Sequence, residues 1–380
     1  MGKPGMAAAV ALAALAVTFP GSAAAAQVCA GTDAPTVASV GTDAALSSTF
    51  TSYGNSGDGW TGADSTYSAR LPDGGELWMF SDTFLEPITP PTRPTSALLV
   101  NNSFVRQEAS TIGTIVGGTP GAPDSLVRPA ADGHWYWIGA GTVSGSTLEL
   151  PLLEWQRTGT GAFDFAWVRN ALARFPTSNL HAWPTISSLP SSTGIEWGSW
   201  VAHEGPYTYV YGVEDLGAEK YMHIARIFGH SLTGTWRYYR GGDPALPASW
   251  SSTEADSVRV MDHVANEYSV HRLRDRLYML TTMDTSVAFS AEMVAYFACA
   301  PTGPFVARTT LYTTPETGPF GSYGNGNVYT YNAHVHTELS TSRKLVISYN
   351  VNSLDTTIGG DVYKDVSIYR PRFIDVRLTG

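Results

Sequence analysis

The sequence predicts an all-β protein, a five-bladed β-propeller of four-stranded blades. Three observations indicate this fold. Of the 380 residues, 12% are aromatic, 15% are charged and 38 are glycine, a composition rich in strand and turn formers. A pattern of two short strands around a polar turn occurs five times along the chain. Each step between these hairpins leaves room for two further strands, without a convincing long amphipathic helix.

The second strands of the five hairpins begin near residues 77, 135, 207, 277 and 345, in steps of 58, 72, 70 and 68 residues. Such steps suit a four-stranded blade and are long for a stacked solenoid, the alternative repeat architecture. The innermost strands of a propeller line a central channel. The predicted hairpins span residues 63–82, 125–138, 196–211, 267–280 and 332–349.

The N-terminal residues predict export. Lys3 precedes the apolar stretch Ala7–Phe19, and small residues continue to Ala26, the pattern of a secretory signal. The stretch is too short to span a bilayer, which needs about 20 residues. We expect a signal peptide at 1–26, an N-terminal extension at 27–50, a propeller domain at 51–380, and a secreted protein that is a monomer.

Charge and cysteine content exclude several classes of function. The formal net charge of −10 argues against nucleic-acid and anionic-membrane binding, because both need a basic face. Two cysteines are too few for a disulfide-stapled miniprotein or a cysteine-based zinc cluster. Cys29 and Cys299 either form one bridge or stay unpaired, and the sequence leaves both options open.

Antiparallel pairing predicts which polar side chains meet at one rim of the blades. The turn 72–75 places Asp64 opposite Asp82, at the end of the first hairpin away from the turn, and cross-strand neighbours point to the same face. For one blade, the capping of a loop by aspartate would explain this. The same arithmetic brings polar side chains together in the other hairpins, and a repeat in four blades favours a functional site. The pairs are Glu196 with Asp215, Glu267 with Asp284 and His334 with Asn350, and the second hairpin offers Asp124 and Thr142.

Carboxylates crowded at a concave mouth suit glycoside hydrolysis. One carboxyl must donate a proton to the leaving oxygen while another, ionised, attacks the anomeric carbon or activates water. Crowding of like charges separates their pKa values and creates these two roles. Aromatic rings would stack on sugar faces, and the best placed by sequence are Trp60, Trp197 and Trp200. Trp60 lies beside Asp58 in a predicted loop, and a core position is the alternative for all three.

No cofactor is predicted. His334 and His336 alternate on a strand and could hold a metal with Glu267, although strand histidines are more often packing residues. We therefore expect no metal site, and oxygen-ligated structural Ca²⁺ as the ion that would fit the acidic rim.

Two segments resemble a known family. Gly57–Ser68 and Leu77–Phe84 resemble the opening of secreted bacterial proteins catalogued as domains of unknown function and now associated with endo-D-arabinanase activity. Tyr211–Asp215 and Tyr331–His334 are similar to a sister group of such domains. The resemblance implies a five-bladed propeller that cleaves α-linked D-arabinofuranose chains, as in arabinogalactan and lipoarabinomannan. It also implies that Asp64 and Asp82 are the key acids, although Ser81 stands where glycine is expected.

The residues and the resemblance lead to one prediction, an endo-acting glycoside hydrolase with a polysaccharide substrate. Its alternatives are an exo-acting arabinofuranosidase, a fructan hydrolase, or a non-catalytic carbohydrate-binding propeller. The predicted catalytic residues are Asp64, Asp82, Glu196 and Glu267. The predicted substrate-binding residues are Trp60, Asp58, Asp215, Trp197, Asp284, Asn332 and His334.

Overall fold

The computed structural model describes residues 34–85, 88–109, 111–274 and 276–379. The predicted signal peptide and Cys29 lie outside these residues. Within them, β-strands dominate, with two α-helices and three short 3₁₀ helices. The all-β prediction is confirmed.

The elements follow one another along the chain in groups. The first elements are strand β1 (Val37–Thr42) and helix α1 (Ala44–Ser56). Then come β2 (Trp60–Ala63), β3 (Tyr67–Arg70), β4 (Glu76–Phe80), β5 (Thr83–Leu85), β6 (Leu99–Val100), β7 (Ser103–Glu108) and β8 (Thr111–Ile115). The next group is β9 (Gly117–Thr119), β10 (Ala122–Asp124), β11 (His134–Ile138), β12 (Thr142–Ser144), β13 (Thr147–Arg157), β14 (Phe165–Pro176) and β15 (Thr185–Ser188).

The C-terminal half continues in the same way. It contains β16 (Ile195–Glu204), β17 (Tyr207–Asp215), β18 (Lys220–Phe228), β19 (Trp236–Tyr239), β20 (Trp250–Ser251) and β21 (Met261–Asp262). These are followed by β22 (Ser269–Arg274), β23 (Leu277–Met283), β24 (Glu292–Ala298) and β25 (Val306–Thr313). The last group is β26 (Val328–Val335), β27 (Lys344–Ser353), helix α2 (Asp361–Lys364) and β28 (Pro371–Leu378). The 3₁₀ helices are Pro247–Ser249, Glu254–Asp256 and Thr337–Leu339.

In the described residues, five antiparallel sheets have four or more strands each. The first sheet is β3-β4-β7-β8, with the small sheet β2-β5-β6 beside it. In the second, β11 and β12 both pair with β13, followed by β14 and β15. The third is β16-β17-β18-β19-β20 with β21 on β18, the fourth is β22-β23-β24-β25, and the fifth is β26-β27-β28-β1.

Hydrogen bonds connect each sheet to the next and the fifth back to the first. The Ile138 amide donates to Ser81 Oγ between the first and second sheets (3.1 Å), and the Ala140 amide donates to Gly198 O between the second and third (2.8 Å). The remaining three links are Tyr268 Oη to Gly212 O, Val335 N to Ser269 Oγ and Asn350 Nδ2 to Ala63 O. The sheets therefore follow one another in a cyclic order.

Apolar side chains fill the space between neighbouring sheets. A cluster around Leu77 and Leu150 joins the first sheet to the second, and clusters with the same role join the second to the third, the third to the fourth and the fourth to the fifth. Between the fifth and first sheets, Phe50 of α1 packs with Trp78 and Phe373. Burial of these faces is the main force that holds the sheets together.

Helix α1 and strand β1 belong to this architecture. Asp43 begins the helix by accepting hydrogen bonds from the amides of Ala45 and Leu46 (3.1 and 3.0 Å), and Gly57 ends it with a φ of +80°, a conformation that glycine adopts at little cost. Strand β1 pairs with β28 at the edge of the fifth sheet. The sheet domain thus begins before residue 51, and at least part of the expected extension 27–50 lies within it.

The hairpin predictions met different outcomes. The first is confirmed, since β3 pairs with β4 around the turn 72–75. The second is wrong: residues 125–128 form no strand, and β11 pairs with β13 instead. In the third and fifth hairpins the strands pair as predicted, but β-bulges shift the register. Cys299 is disulfide-bonded, which removes the option of an unpaired Cys299.

Candidate active site

One end of the sheets opens into a cleft of about 920 Å³. All five sheets contribute to it, with Asp64, Trp137, Glu196, Glu267 and Tyr331 in sheet order. Of the predicted rim, the acidic residues of three hairpins line the cleft, whereas four other members do not. Those on the cleft are Asp64, Asp82, Glu196, Asp215, Glu267 and Asp284, and those outside it are Asp124, Thr142, His334 and Asn350.

Asp64 and Asp82 lie side by side on the cleft. The register of β3 and β4, with Tyr67 opposite Met79, continues to them. The Asp64 amide donates to the Asp82 carbonyl oxygen at 3.2 Å. The predicted juxtaposition is confirmed, and it results from a local turn: the Gly75 amide donates to Asp73 Oδ1 (3.0 Å) inside the 72–75 loop.

Backbone strain is concentrated around Asp64. Ser65 and Thr66 follow it with φ values of 70° and 62°, and Tyr369 has a φ of 80°. Non-glycine residues rarely occupy this region, and such strain clusters at functional sites. A Cβ at Gly62 would lie 2.4 Å from the Tyr369 carbonyl oxygen, so only glycine permits this approach. The strained residues place Ser65 and Tyr369 against the site carboxylates.

Asp64 is in an environment that favours its protonated form. Its Oδ2 accepts hydrogen bonds from Tyr331 Oη and Tyr369 Oη, both at 3.2 Å. Burial raises the pKa of Asp64 well above its usual value, and the nearby carboxylates of Asp82 and Glu267 raise it further, while the two tyrosine hydroxyls oppose this. Its Oδ1 is buried and has no hydrogen-bond partner among the described residues.

The surroundings of Asp82 stabilise its charged form more than those of Asp64 do. Its Oδ1 accepts hydrogen bonds from Trp137 Nε1 (2.8 Å) and Asn101 Nδ2 (3.0 Å). Burial raises the pKa of Asp82 above its ordinary value, and these two donors and the positive charge of Arg157 limit that rise. Of two neighbouring carboxyls, the one with the stronger donors and a cation ionises first. Of the two, Asp64 therefore has the stronger tendency to keep its proton.

The carboxyl of Glu267 lines the cleft and also contacts side chains of the protein. Its Oε1 accepts from Ser65 Oγ (2.8 Å), and its Oε2 lies 3.2 Å from His334 Nε2. Burial raises the pKa of Glu267 to about 8, with the hydroxyls of Ser65 and Tyr67 opposing. Burial lowers the pKa of His334 to about 3. Burial therefore favours the neutral forms of both side chains in this contact.

Glu196 and Asp215 form a second acidic pair on the cleft. The bulge at Gly198–Ser199 places Glu196 opposite Val213 rather than opposite Asp215, so the predicted register is wrong here. The two still interact: burial, and then the charge of Asp215, raise the pKa of Glu196 to about 8. Although burial opposes it, hydrogen bonds from Lys220 and Asn266 lower the pKa of Asp215.

Two other predicted pairings are wrong. His334 lies opposite Ser348, and Asn350 pairs with Tyr331, because a bulge lies between Tyr331 and His334. Strand β22 begins only at Ser269, opposite Thr281, so Glu267 has no ladder partner and does not face Asp284.

Three predicted substrate-binding residues lie outside the cleft. Trp60 is fully buried in the cluster with Phe50, and Trp197 is fully buried with its Nε1 donating to Glu254. Both are core residues, the alternative that the sequence left open. Asp58 is exposed beside α1, in a separate and more open depression of about 580 Å³.

His334 also fails as a ligand residue, whereas Asp284 and Asn332 line the cleft. The ring of His334 is fully buried and stacks on Tyr67 at 4.1 Å. Asp284 accepts from Ser286 Oγ (2.8 Å) and forms an ion pair with Arg308 (3.1 Å). Asn332 has a φ of 54°, a further strained residue at the site.

Several site residues were not predicted. Asn101, Trp137, Tyr331 and Tyr369 make the hydrogen bonds that distinguish the two aspartates. Trp137 and Tyr331 belong to predicted hairpins or their ends, but nothing in the local pattern assigns their polar atoms to an aspartate. Tyr369 reaches Asp64 across 305 positions of sequence, a distance over which the pattern of one sequence carries no pairing signal.

The sequence profile of the family described as "Domain of unknown function (DUF5005)" matches residues 47–378. The chain belongs to this family. The sequence resembles domains that were catalogued without a function, and membership of DUF5005 agrees with this resemblance. The family description itself assigns no reaction. No curated protein matches the chain.

Among solved structures, a hydrolase candidate from Bacteroides ovatus has a similar fold, with a TM-score of 0.70 and 20% identity over 89% of this chain and 90% of that one. The α-L-arabinofuranosidase of Podospora anserina in complex with cellotriose has a TM-score of 0.46 and 12% identity over 86% and 93% of the two chains. The Bombyx mori β-fructofuranosidase has a TM-score of 0.44 and 8% identity over 87% and 66%. At these identities the likeness is one of fold alone.

Two further properties concern the described residues only. No helix among them is long and apolar enough to cross a membrane. No three of their histidine, cysteine, aspartate or glutamate side chains are grouped as a metal ion would require.

Proposed function

We propose that this DUF5005 protein is a secreted glycoside hydrolase that cleaves α-D-arabinofuranosyl linkages inside polysaccharide chains. The observation that carries the proposal is the neighbouring pair of Asp64 and Asp82 in opposite electrostatic environments on one cleft. We interpret the cyclic order of five sheets as a five-bladed β-propeller with this cleft at its mouth. The D-arabinan specificity is supported by the resemblance of the Asp64 and Asp82 segments to endo-D-arabinanases.

The two aspartates have complementary roles in this mechanism. Asp82, charged and held by Trp137 and Asn101, attacks the anomeric carbon, while Asp64 donates its proton to the leaving oxygen. Asp64 then activates the water that hydrolyses the glycosyl ester on Asp82. Cross-strand neighbours have Cβ atoms about 4.5–5.5 Å apart, which suits the roughly 5–5.5 Å carboxyl spacing of retaining enzymes.

Glu196 and Glu267 support this pair. Glu267, when ionised, is one of the causes of the raised pKa of Asp64, and its contacts to Ser65 and His334 direct its own carboxyl into the protein. Glu196, with a raised pKa of about 8, is a second proton donor on the cleft. A neutral polysaccharide suits the cleft, because acidic groups dominate its charged residues and would repel an anionic substrate.

Product analysis tests the activity. Wild type, Asp64→Asn and Asp82→Asn are incubated with D-arabinan, L-arabinan and levan. We expect short D-arabino-oligosaccharides from wild type, and a loss of roughly 10²–10⁴-fold or more in both variants. Asp132→Asn, on an exposed turn away from the cleft, is the matched control and should keep wild-type activity. Monosaccharide as the only early product would contradict endo action.

A substrate with a good leaving group separates the two roles. An aryl arabinofuranoside that releases a weakly basic phenolate needs little proton donation. Asp64→Asn should therefore keep a fast first step, seen as a burst of phenolate, and then turn over slowly because its second step lacks the base; Asp82→Asn should give no burst. Inverted anomeric configuration in the first product, or a burst in Asp82→Asn alone, would overturn the assignment.

A further inference from the structure

Two exposed phenylalanines stand over the cleft from opposite flanks of the cyclic sheet order. Phe163 follows the second sheet's β13, and its side chain is 62% exposed. Phe289 lies between β23 and β24 of the fourth sheet and is 52% exposed. Rings exposed to this extent gain much less burial energy from the fold than core rings do, so a role at the cleft is a reason to keep them there.

Each ring is held in place by its loop, and that of Phe289 at a cost to the local backbone. Phe289 has a φ of 52°, an outlier for a bulky side chain. The loop of Phe163 is held by Asp164, whose Oδ2 accepts from the Gly161 amide (2.7 Å), and by Arg157, which donates to Gly161 O (3.1 Å). Both rings are thus held outside the core by the surrounding loop.

An aromatic series connects Phe289 to one catalytic aspartate, and a second series begins at the other aspartate near the loop of Phe163. On one side, Trp137 donates to Asp82 and contacts Trp155 (centroids 5.0 Å apart) and Phe165 (5.1 Å), and Phe163, two residues before Phe165, lines the same cleft. On the other, Tyr331 donates to Asp64 and contacts Tyr329 (5.3 Å), which contacts Phe289 (4.6 Å).

We infer that Phe163 and Phe289 are the outer sugar-binding platforms of the cleft, one on each side of the bond that is cut. The inference rests on the proposed function for the position of that bond. Flat apolar rings bind the C–H faces of neutral sugars without requiring charge. Two platforms on opposite flanks hold a chain that continues in both directions, which is the physical basis of internal cleavage.

The test measures binding without hydrolysis. Affinity electrophoresis is run in gels containing D-arabinan, L-arabinan or levan, with Asp82→Asn as the background so that chains stay intact. Phe163→Ala and Phe289→Ala should each weaken the affinity for the retarding polysaccharide roughly tenfold, about 1.4 kcal/mol. Phe163→Tyr and Phe289→Tyr keep the ring and should retain affinity. The control is Phe228→Ala, which removes a more exposed ring (75%) from the opposite end of the third sheet.

The outcomes separate this inference from the proposed function. Unchanged affinity in both alanine variants overturns the inference, and so does the absence of retardation by all three polysaccharides. A polysaccharide that binds through both rings but is not cut by the wild type would leave the inference standing and reject the proposed hydrolysis. With an active enzyme, both alanine variants should shift the first products toward different chain lengths, because each removes a subsite on a different side.

Discussion

Removing the indole donor from Asp82 should move the acidic limit of the enzyme's activity. Trp137 Nε1 donates to Asp82 Oδ1 at 2.8 Å, and Trp137→Phe removes that bond while keeping an aromatic ring against Trp155 and Phe165. A hydrogen bond to a charged group contributes about 1.5–3 kcal/mol. Since one pKa unit corresponds to about 1.4 kcal/mol, the pKa of Asp82 should rise by about one to two units.

The sign of the effect follows from the proposed role of Asp82. It must be ionised to attack, so a higher pKa leaves less of the active form at any acidic pH. The acidic limb of the profile of kcat/KM against pH reports the free enzyme, and it should move upward by about one to two pH units. The basic limb, which reports the proton on the acid, should move less, because the substitution leaves both tyrosine contacts of Asp64 in place.

The assay compares wild type, Trp137→Phe and a control over the full pH range on D-arabinan. Trp183→Phe is the control, because Trp183 is 61% exposed and does not line the cleft. An acidic limb that stays in place in Trp137→Phe would refute the reasoning that this donor stabilises the charge of Asp82. A basic limb that moves instead would reverse the roles of the two aspartates.

Three further predictions concern stability and metal dependence. Burial and then Glu338 raise the pKa of Glu76 to about 8 from its ordinary 4.5. The folded chain therefore binds more protons in this window, and the free energy of unfolding should fall as pH rises from about 4.5 through about 8. Urea unfolding should show a weaker pH dependence in Glu76→Gln, and an unchanged slope would contradict this cause. Phe50→Ala should lower the free energy of unfolding by about 3–5 kcal/mol, because Phe50 is 2% exposed and packs edge-on against Trp60 and Trp78; Phe228→Ala should change it by less than about 0.5 kcal/mol. Chelation with EDTA should leave hydrolysis unchanged, and recovery on Ca²⁺ addition after a loss would show that an ion is needed.

The first hairpin shows how far local pattern reaches. Its turn, Asp73-Gly74-Gly75, closes a short loop whose geometry fixes the register of β3 and β4. Because the two aspartates lie in that one hairpin, the sequence was sufficient to place Asp64 beside Asp82. The repeat spacing and the alternating aromatic strands likewise sufficed for the all-β class, since both are properties of neighbouring residues.

The third and fifth hairpins show where local pattern ends. At Gly198 the chain bulges where a Cβ would lie 2.5 Å from the Pro151 side chain of the adjoining sheet. That neighbour is visible only in the folded protein, so the register beyond the bulge could not be read from the turn. Trp60 and Trp197 are buried for the same reason: a tryptophan in a strand or loop becomes core or surface according to what packs over it.

The sequence by itself determined the strand-rich class, the aspartate pair and the acidic residues available to one rim, because each depends on residues close together in the chain. The tertiary structure decided how those acids differ. Tyr369 reaches Asp64 across 305 positions, and Ser65 reaches Glu267 across 202, so the donors and burial that separate the pKa values arise only when the fifth and fourth sheets close against the first. The difference between the two aspartates is thus a property of the closed cyclic arrangement rather than of either segment alone.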